Sequence, residues 1–273
     1  MQYSLGVDAG GTYTDSVILR NSDGAIVSAN KALTTYPDLL EGIKNSIDGL
    51  DSSYLEDINI VSVSTTLATN TILEKTGYPV GLILAGNYDV PANADIDYYT
   101  VVEGGHDTKG LEVATLDEEK VKEFVNIIKD KVSAFAVSSY FSVRNPEHEL
   151  RIKKIIQDIT EYPVVCGHEL SQDLGAYERG VTAYLNAQLI PIANRFIHSI
   201  ISETERRGID ARLLMLKCDG SVVGIKEALE KPIESIFSGP AASLVGASYL
   251  ENLDSCAVID LGGTSTDVSL MEN

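Results

Sequence analysis

Asp8-Ala9-Gly10-Gly11-Thr12-Tyr13-Thr14-Asp15 follows the apolar run 3–7, and near the other end of the chain Asp260-Leu261-Gly262-Gly263-Thr264-Ser265-Thr266-Asp267 follows the run 256–259. Both stretches read D-x-G-G-T-x-T-D with β-rich flanks, so each predicts a hairpin turning at its Gly-Gly pair. The two glycines permit positive φ and a close approach of backbone N–H groups, while Thr12, Thr14, Thr264 and Thr266 add hydroxyl donors without bulk. Phosphate oxygens suit such a cradle. Asp8 and Asp260 stand at strand ends, where a buried carboxylate is costly unless paired. Hydrated Mg²⁺ is a natural partner for them, because magnesium prefers oxygen and keeps several waters. One D-G-G is an ordinary turn; two copies of the whole pattern point to two hairpins clamping one polyphosphate.

Composition bounds the rest. The chain has 273 residues, 44% of them hydrophobic, enough for one large or two ordinary domains. A formal net charge of −19 argues against a nucleic-acid surface, which needs clustered Lys and Arg. No apolar run approaches the ~20 residues of a membrane helix. Asp8 interrupts the N-terminal apolar stretch before it can serve as a signal peptide, so the expected location is the cytoplasm. Cys166, Cys218 and Cys256 are scattered, without C-x-x-C or a histidine at ligand spacing, which predicts neither a disulfide framework nor a zinc site.

In chain order, 3–8, 14–20 and 25–32 read as consecutive strands, and a helix opens at Pro37 and ends at Gly49. A buried strand over 58–64 completes the start of a ribonuclease-H-like domain. Ser64 to Glu74 is a hydroxyl-rich strand-to-helix junction. Thr65, Thr66 and Asn70 there are candidate substrate or phosphate contacts, with helix capping as the alternative. The stretch 86–110 is turn-rich and acidic and reads as an insertion or lid, with His106 a weak candidate. A helix at 117–131 and another started by 144–149 and reaching about Thr160 alternate with strands at 134–139 and 163–166. His148 between glutamates reads as a helix start. A long helix continues past Pro191 to about Arg207, and Arg179 on it can reach a ligand anion or pair locally. The small-residue helix from Ser238 onward suits close approach of helices or lobes, with ordinary helix-on-sheet packing as the alternative, and Gly246 inside it, costly in a helix by about 1 kcal/mol, calls for some reason.

These blocks carry a resemblance. The paired hairpins resemble the two phosphate motifs of the actin, sugar-kinase and heat-shock-chaperone ATPases. The chain is more closely similar to the N-terminal half of the hydantoinase A and 5-oxoprolinase family. The blocks are 6–15, Ser64 to Asn70, Asn145 to Glu149, Tyr177-Glu178-Arg179 with Thr182-Ala183 and Leu185-Asn186-Ala187, Ser238 to Ala241, and Asp260 to Asp267, in the family's order. The family usually has Gly where Ser64 stands, more glycine after Pro240, and a paired glycine at Gly220-Ser221.

The resemblance implies an α/β fold: a ribonuclease-H-like, actin-like ATPase lobe with a mixed sheet flanked by helices, over residues 1–185. Residues 186–273 would begin a second, hydantoinase A-type lobe, truncated after the second hairpin and before the region that contacts adenosine. The activity implied is ATP-dependent opening of a five-membered cyclic amide, a hydantoin or 5-oxoproline, through a phosphorylated intermediate. Asp8 and Asp260 would position Mg²⁺, Gly10, Gly11, Gly262 and Gly263 would cradle phosphates, and Asp15 or Asp267 would orient water or metal. A hydantoinase B-type subunit is the implied partner, and an oligomer is compatible with this. A small-molecule kinase, or a nucleotide-dependent switch without cyclic-amide chemistry, would use the same hairpins.

Overall fold

The computed structural model describes residues 2–36, 39–251, 255–263 and 266–272. In chain order these form β1 (Tyr3–Ala9), β2 (Tyr13–Arg20), β3 (Ile26–Leu33), α1 (Leu40–Asp48), β4 (Ile58–Thr65), α2 (Leu67–Leu73), β5 (Val80–Ala85) and β6 (Tyr98–Val102). They continue with α3 (Glu118–Ile128), β7 (Ala134–Ser139), α4 (Glu147–Ile159), β8 (Val164–Cys166), α5 (Gly167–Leu170) and α6 (Ala176–Arg206). The last are β9 (Arg212–Leu216), β10 (Val222–Gly224), α7 (Ile225–Glu230), α8 (Ser238–Glu251), β11 (Cys256–Leu261) and β12 (Thr266–Met271). Pro37, where the first helix was expected to open, lies outside the described residues.

Contacts divide the chain into two compact units, 1–75 with 192–273, and 76–191. The first is built on a six-stranded sheet of order β10-β9-β4-β1-β2-β3. β1, β2 and β3 form an antiparallel meander, whereas β4 runs parallel to β1 and β9 parallel to β4. This is the mixed ribonuclease-H-like order. Alternate residues of β1, Tyr3, Leu5, Val7 and Ala9, are buried in one cluster with Ile43 and Ile47 of α1 and Phe196, Ile197 and Ile200 of α6. β11 and β12 pair antiparallel with each other in a separate two-stranded sheet that leaves Ile259, Leu261, Val268 and Leu270 exposed.

The second unit is a parallel sheet of order β6-β5-β7-β8. Its two central strands are buried along their whole length, as parallel strands covered on both faces must be. Ile83 and Ala85 of β5 and Phe135 and Val137 of β7 share a core with Val121, Val125, Ile152 and Ile156 of α3 and α4. The alternating residues Leu82, Leu84, Ala134 and Ala136 pack with Ala183, Tyr184 and Ala187 of α6. Helices therefore cover both sides.

Two sequence expectations change. The expected division at 185/186 is not where the contacts divide, because β9 and β10 belong to the same sheet as β1 to β4, and 76–191 folds around a sheet of its own. The stretch 86–110, read as a lid, contains β6, hydrogen-bonded parallel to β5. Its Tyr-Tyr-Thr-Val-Val core is β-prone, but the surrounding Gly, Pro, Asn and Asp hide it. α6 runs through Pro191 without a break, with the unit boundary at that residue. A Cβ added at Gly246 would meet nothing within 4 Å among the described residues, so none of them requires that glycine.

Leu5 is fully buried, whereas Leu33 on β3 is 63% exposed. Leu5→Ala should cost about 2–5 kcal/mol of stability and Leu33→Ala less than about 0.5 kcal/mol, measured by urea unfolding followed by circular dichroism. Equal effects of the two substitutions would refute this core.

Candidate functional site

The first glycine hairpin is fixed by its neighbours. β1 and β2 pair in a register that sets Asp8 opposite Asp15 and Ala9 opposite Thr14. The Gly10 N–H donates to Tyr13 O at 3.0 Å, and a Cβ at Gly10 would lie 2.9 Å from that same oxygen, which excludes any larger residue. The Thr34 hydroxyl, just past β3, donates to Gly10 O at 2.8 Å, and its backbone N–H donates to Thr12 O at 2.9 Å. Thr14 is buried with its hydroxyl 3.0 Å from that of Thr34, so it braces the turn from behind.

The second hairpin repeats the register, with Asp260 opposite Asp267. The two turns meet: a Cβ at Gly263 would come within 2.5 Å of Thr12 Oγ1. Between them lies a cleft of about 270 Å³. Asp8, Gly10, Gly11, Thr12 and Asp15 line one side of it, Asp260, Gly262, Gly263 and Asp267 the other. Thr66, Asn70, Gly239 and Lys31 complete the lining.

The electrostatics of this cleft are lopsided. Parallel pairing of β1 with β4 sets Asp8 beside Ser64, and the Ser64 hydroxyl donates to Asp8 Oδ1 at 2.6 Å. Burial pushes the Asp8 carboxyl above its ordinary 3.8; the Ser64 hydrogen bond opposes this, Asp15 and Asp260 reinforce it, and Lys31 opposes it again. Lys31 Nζ lies 3.3 Å from Asp15 Oδ1, and the Ser243 hydroxyl donates to Asp260 Oδ2 at 2.9 Å. Four aspartates thus line the cleft with one basic side chain, Lys31, among the described residues. Converging carboxylates with so little compensation fit a divalent cation held through oxygen and water.

The remaining sequence candidates fall in different places. Thr66 and Asn70 line the cleft, but Thr65 is buried, donating to Ala9 O at 3.1 Å and accepting from Leu67 N at 3.1 Å. Ser238 straps the same residue, donating to Thr65 O at 3.2 Å. Thr266 is not among the lining residues, and Thr264 lies outside the described residues. Arg179 belongs to the 76–191 unit, where it is buried and bonded to Asp173 O, Ser139 O and Ser142 Oγ. Sequence reasoning missed Ser64 as the partner of Asp8, as well as Lys31 and Ser243. Only Lys31 had a usable signal, since the short β2–β3 connection sets it on β3 directly opposite Asp15 on β2.

Glu149, Cys166 and His168 bring ligand-type atoms within 4.8 Å of one another, a grouping that residue spacing alone does not suggest. The Glu149 carboxylate already accepts from Ser139 N, His168 N and the His168 ring. Burial pushes the Cys166 thiol well up, away from thiolate. The cluster works as a clasp joining the ends of β7 and β8 to α4.

Comparison with known proteins adds ancestry. A family model described as the hydantoinase/oxoprolinase N-terminal region matches residues 4–160, and a second, described as hydantoinase/oxoprolinase, matches 179–273. The alpha subunit of a caprolactamase from Pseudomonas jessenii is 28% identical over 98% of this chain and 43% of its own length. The gamma subunit of acetophenone carboxylase from Aromatoleum aromaticum is 29% identical over 98% of this chain and 42% of its own. The crystal structure of the ATP-dependent caprolactamase from P. jessenii aligns with a TM-score of 0.76 at 27% identity, covering 98% of this chain and 43% of that one. Nucleotide-free acetone carboxylase aligns with a TM-score of 0.85 at 22% identity over 99% of this chain and 44% of that one, a likeness of fold. The chain spans under half the length of the curated relatives it matches. No described helix is long and apolar enough to cross a membrane.

The raised Asp8 carboxyl has a stability consequence with a definite sign. The folded state holds this proton more tightly than the unfolded chain, so stability falls as pH rises from 3.8 through the folded value, above which the loss is complete. In buffer containing EDTA, Asp8→Asn should therefore be at least as stable as wild type at pH 7, with the gap narrowing toward pH 3.8. A wild type clearly more stable than the variant at pH 7 would contradict the burial of an uncompensated charge.

Proposed function

This chain belongs to the hydantoinase/oxoprolinase family, and on that footing we propose that the whole protein uses Mg-ATP to open a five-membered cyclic amide of the hydantoin or 5-oxoproline type. The observation that carries the reading is the meeting of two D-x-G-G hairpins around one cleft lined by carboxylates.

A ring amide is resonance-stabilised, and its carbonyl oxygen is a poor leaving group. Transfer of a phosphoryl group to that oxygen activates the ring carbon, and water adds there. The ring C–N bond breaks with the protonated nitrogen leaving as the amine, and a second water hydrolyses the resulting acyl phosphate to carboxylate and phosphate. The chain's own share in this chemistry is positioning and charge management. Asp8 and Asp260 would hold hydrated Mg²⁺, which supplies charge neutralisation for the phosphates. The backbones of Gly11, Gly262 and Gly263, with Thr12, would receive phosphate oxygens, while Gly10, whose N–H is given to Tyr13 O, shapes the turn instead. Ser64 keeps Asp8 pointed into the cleft through its 2.6 Å hydrogen bond. Lys31 restrains Asp15 at 3.3 Å and leaves it as an orienting group for water or metal. Thr66 and Asn70 face the same space and are substrate-side contacts.

The relatives named above are subunits, which supports a partner of the hydantoinase B type that completes the hydrolysis. We place the reaction in the cytoplasm, where ATP is available. A second reading is favoured by the acetophenone carboxylase relative: the same phosphoryl transfer could serve a carboxylation.

The deciding measurement is phosphate release by the full-length protein with its partner subunit, across hydantoins, 5-oxoproline, and a ketone with bicarbonate. Ring opening coupled to phosphate release is expected. Release that depends on the ketone and bicarbonate alone would select the carboxylation, and release indifferent to every substrate would reject both.

Within the cleft, Asp8→Asn should lower turnover by about 10²-fold or more, and Asp15→Asn by less than about tenfold. Wild-type turnover of both variants would remove the metal assignment.

A further inference from the structure

The 76–191 unit has its own chemistry at the carboxyl edge of its parallel sheet. In the order β6-β5-β7-β8 the chain leaves β5 for β6 on one side and returns to β7 on the other, so the ends of β5 and β7 flank a topological switch point. In open α/β sheets ligands bind outside such a point. Here, among the described residues, buried groups lack a hydrogen-bond partner: both ring nitrogens of His106, Ser139 Oγ and Arg179 Nε, together with Tyr88 Oη, whose nearest polar neighbour is the Ser138 side chain. His106 and Arg179 are each 1% exposed, and Ser139 is fully buried.

One peptide gathers them. Arg179 Nη2 donates to Ser139 O at 2.9 Å, the His106 N–H donates to Tyr140 O at 3.1 Å, and the Tyr88 ring packs 4.7 Å from the Tyr140 ring. Burial pushes the Tyr88 hydroxyl well up; the neighbouring Ser138 side chain opposes this, Glu149 reinforces it and Arg179 opposes it again. Leaving a buried polar group unpaired costs about 1–3 kcal/mol, more if it is charged, so several in one place call for a reason.

The charges say which ligand fits. Arg179 forms no ion pair among the described residues, since Glu149 is taken by Ser139 N and by His168. His148 accepts from Gly105 N on Nδ1 and faces Glu112 with Nε2, so its own hydrogen bonds are complete. Burial and the neighbouring His148 ring, 4.4 Å away, push the His106 ring down toward its neutral form, which presents one N–H. Tyr88, Ser139, His106 and Arg179 therefore offer four donors beside one fixed positive charge. Gly86, at φ +137°, begins the segment that carries Tyr88 over this edge, and Asn87 beside it is exposed.

We infer that the carboxyl edge between β5 and β7 binds a small oxyanion, a carboxylate or a phosphate, held by Arg179, His106, Ser139 and Tyr88. The site lies wholly within 76–191 and does not depend on the hairpin cleft.

The chain has four histidines, so ¹⁵N-histidine NMR on the protein resolves His106, assigned by loss of its signals in His106→Gln. Sodium acetate and inorganic phosphate are titrated separately at constant ionic strength, with chloride as the control. A saturable shift of the His106 ring signals is expected with one of the two, absent with chloride, and weakened about threefold to tenfold by Tyr88→Phe, which keeps the ring that packs on Tyr140. A response to acetate alone assigns a carboxylate ligand, and to phosphate alone a phosphate. No saturable His106 shift with either anion, or one untouched by Tyr88→Phe, overturns the site. Tyr88→Phe leaves the packing rings in place, so a folding defect does not obscure the outcome.

Discussion

The Asp8 carboxylate, buried at the end of β1 with Asp15 and Asp260 acting on it and one hydroxyl bonded to it, is the constraint that gives the hairpin cleft its character. A chain selected for stability alone would not retain that arrangement, because burial and like charge both disfavour the ionised form. It persists because the surrounding backbone leaves it nowhere else to go. The antiparallel register with β2 fixes Asp15 opposite, and the parallel register with β4 brings Ser64 alongside. The scaffold holds the charges together, and a bound cation is what such an arrangement serves.

The hydroxyl and amide side chains around the cleft divide into two kinds. Thr12, Thr66 and Asn70 face the open space, whereas Thr34, Thr65 and Ser238 spend their hydrogen bonds on the backbone of the turns and of the β4–α2 junction, and Thr14 pairs with the Thr34 hydroxyl. The second group makes the first useful. A Gly-Gly turn is permissive by nature, and donors presented to a phosphate are effective only if they do not reorganise when it binds. Thr34 pins two carbonyls of the first turn, and Ser238 ties α8 to the end of β4, so flexibility allowed by the glycines is removed by their neighbours.

The parallel-sheet unit follows another economy. Its strands are apolar throughout, so polar side chains concentrate where the strands end, and Ser139, His106, His148, Glu149, His168 and Arg179 all sit at or near that edge. Glu149 and His148 are fully engaged there, whereas His106 and the Nε of Arg179 are not. Satisfied and unsatisfied groups side by side at one strand edge separate what holds the unit together from what is free to meet a ligand.

The sequence by itself determined the two hairpins, most strands and helices, and the likeness to the family, because alternating burial, glycine turns and helical periodicity are local properties written residue by residue. It did not reveal β6, whose Tyr98 to Val102 lies among turn-formers and becomes a strand only because β5 offers an edge to pair with. Nor did it show that β9 and β10 return to the first sheet around an inserted unit, since strand order is a matter of pairing between distant segments. Tertiary structure alone decided which candidates share a space. It set Ser64 on Asp8, Lys31 beside Asp15 and Asp260 across the cleft, and it buried Arg179 among backbone carbonyls of the other unit. Residue type fixes what a side chain can do; register and crossover decide what it meets.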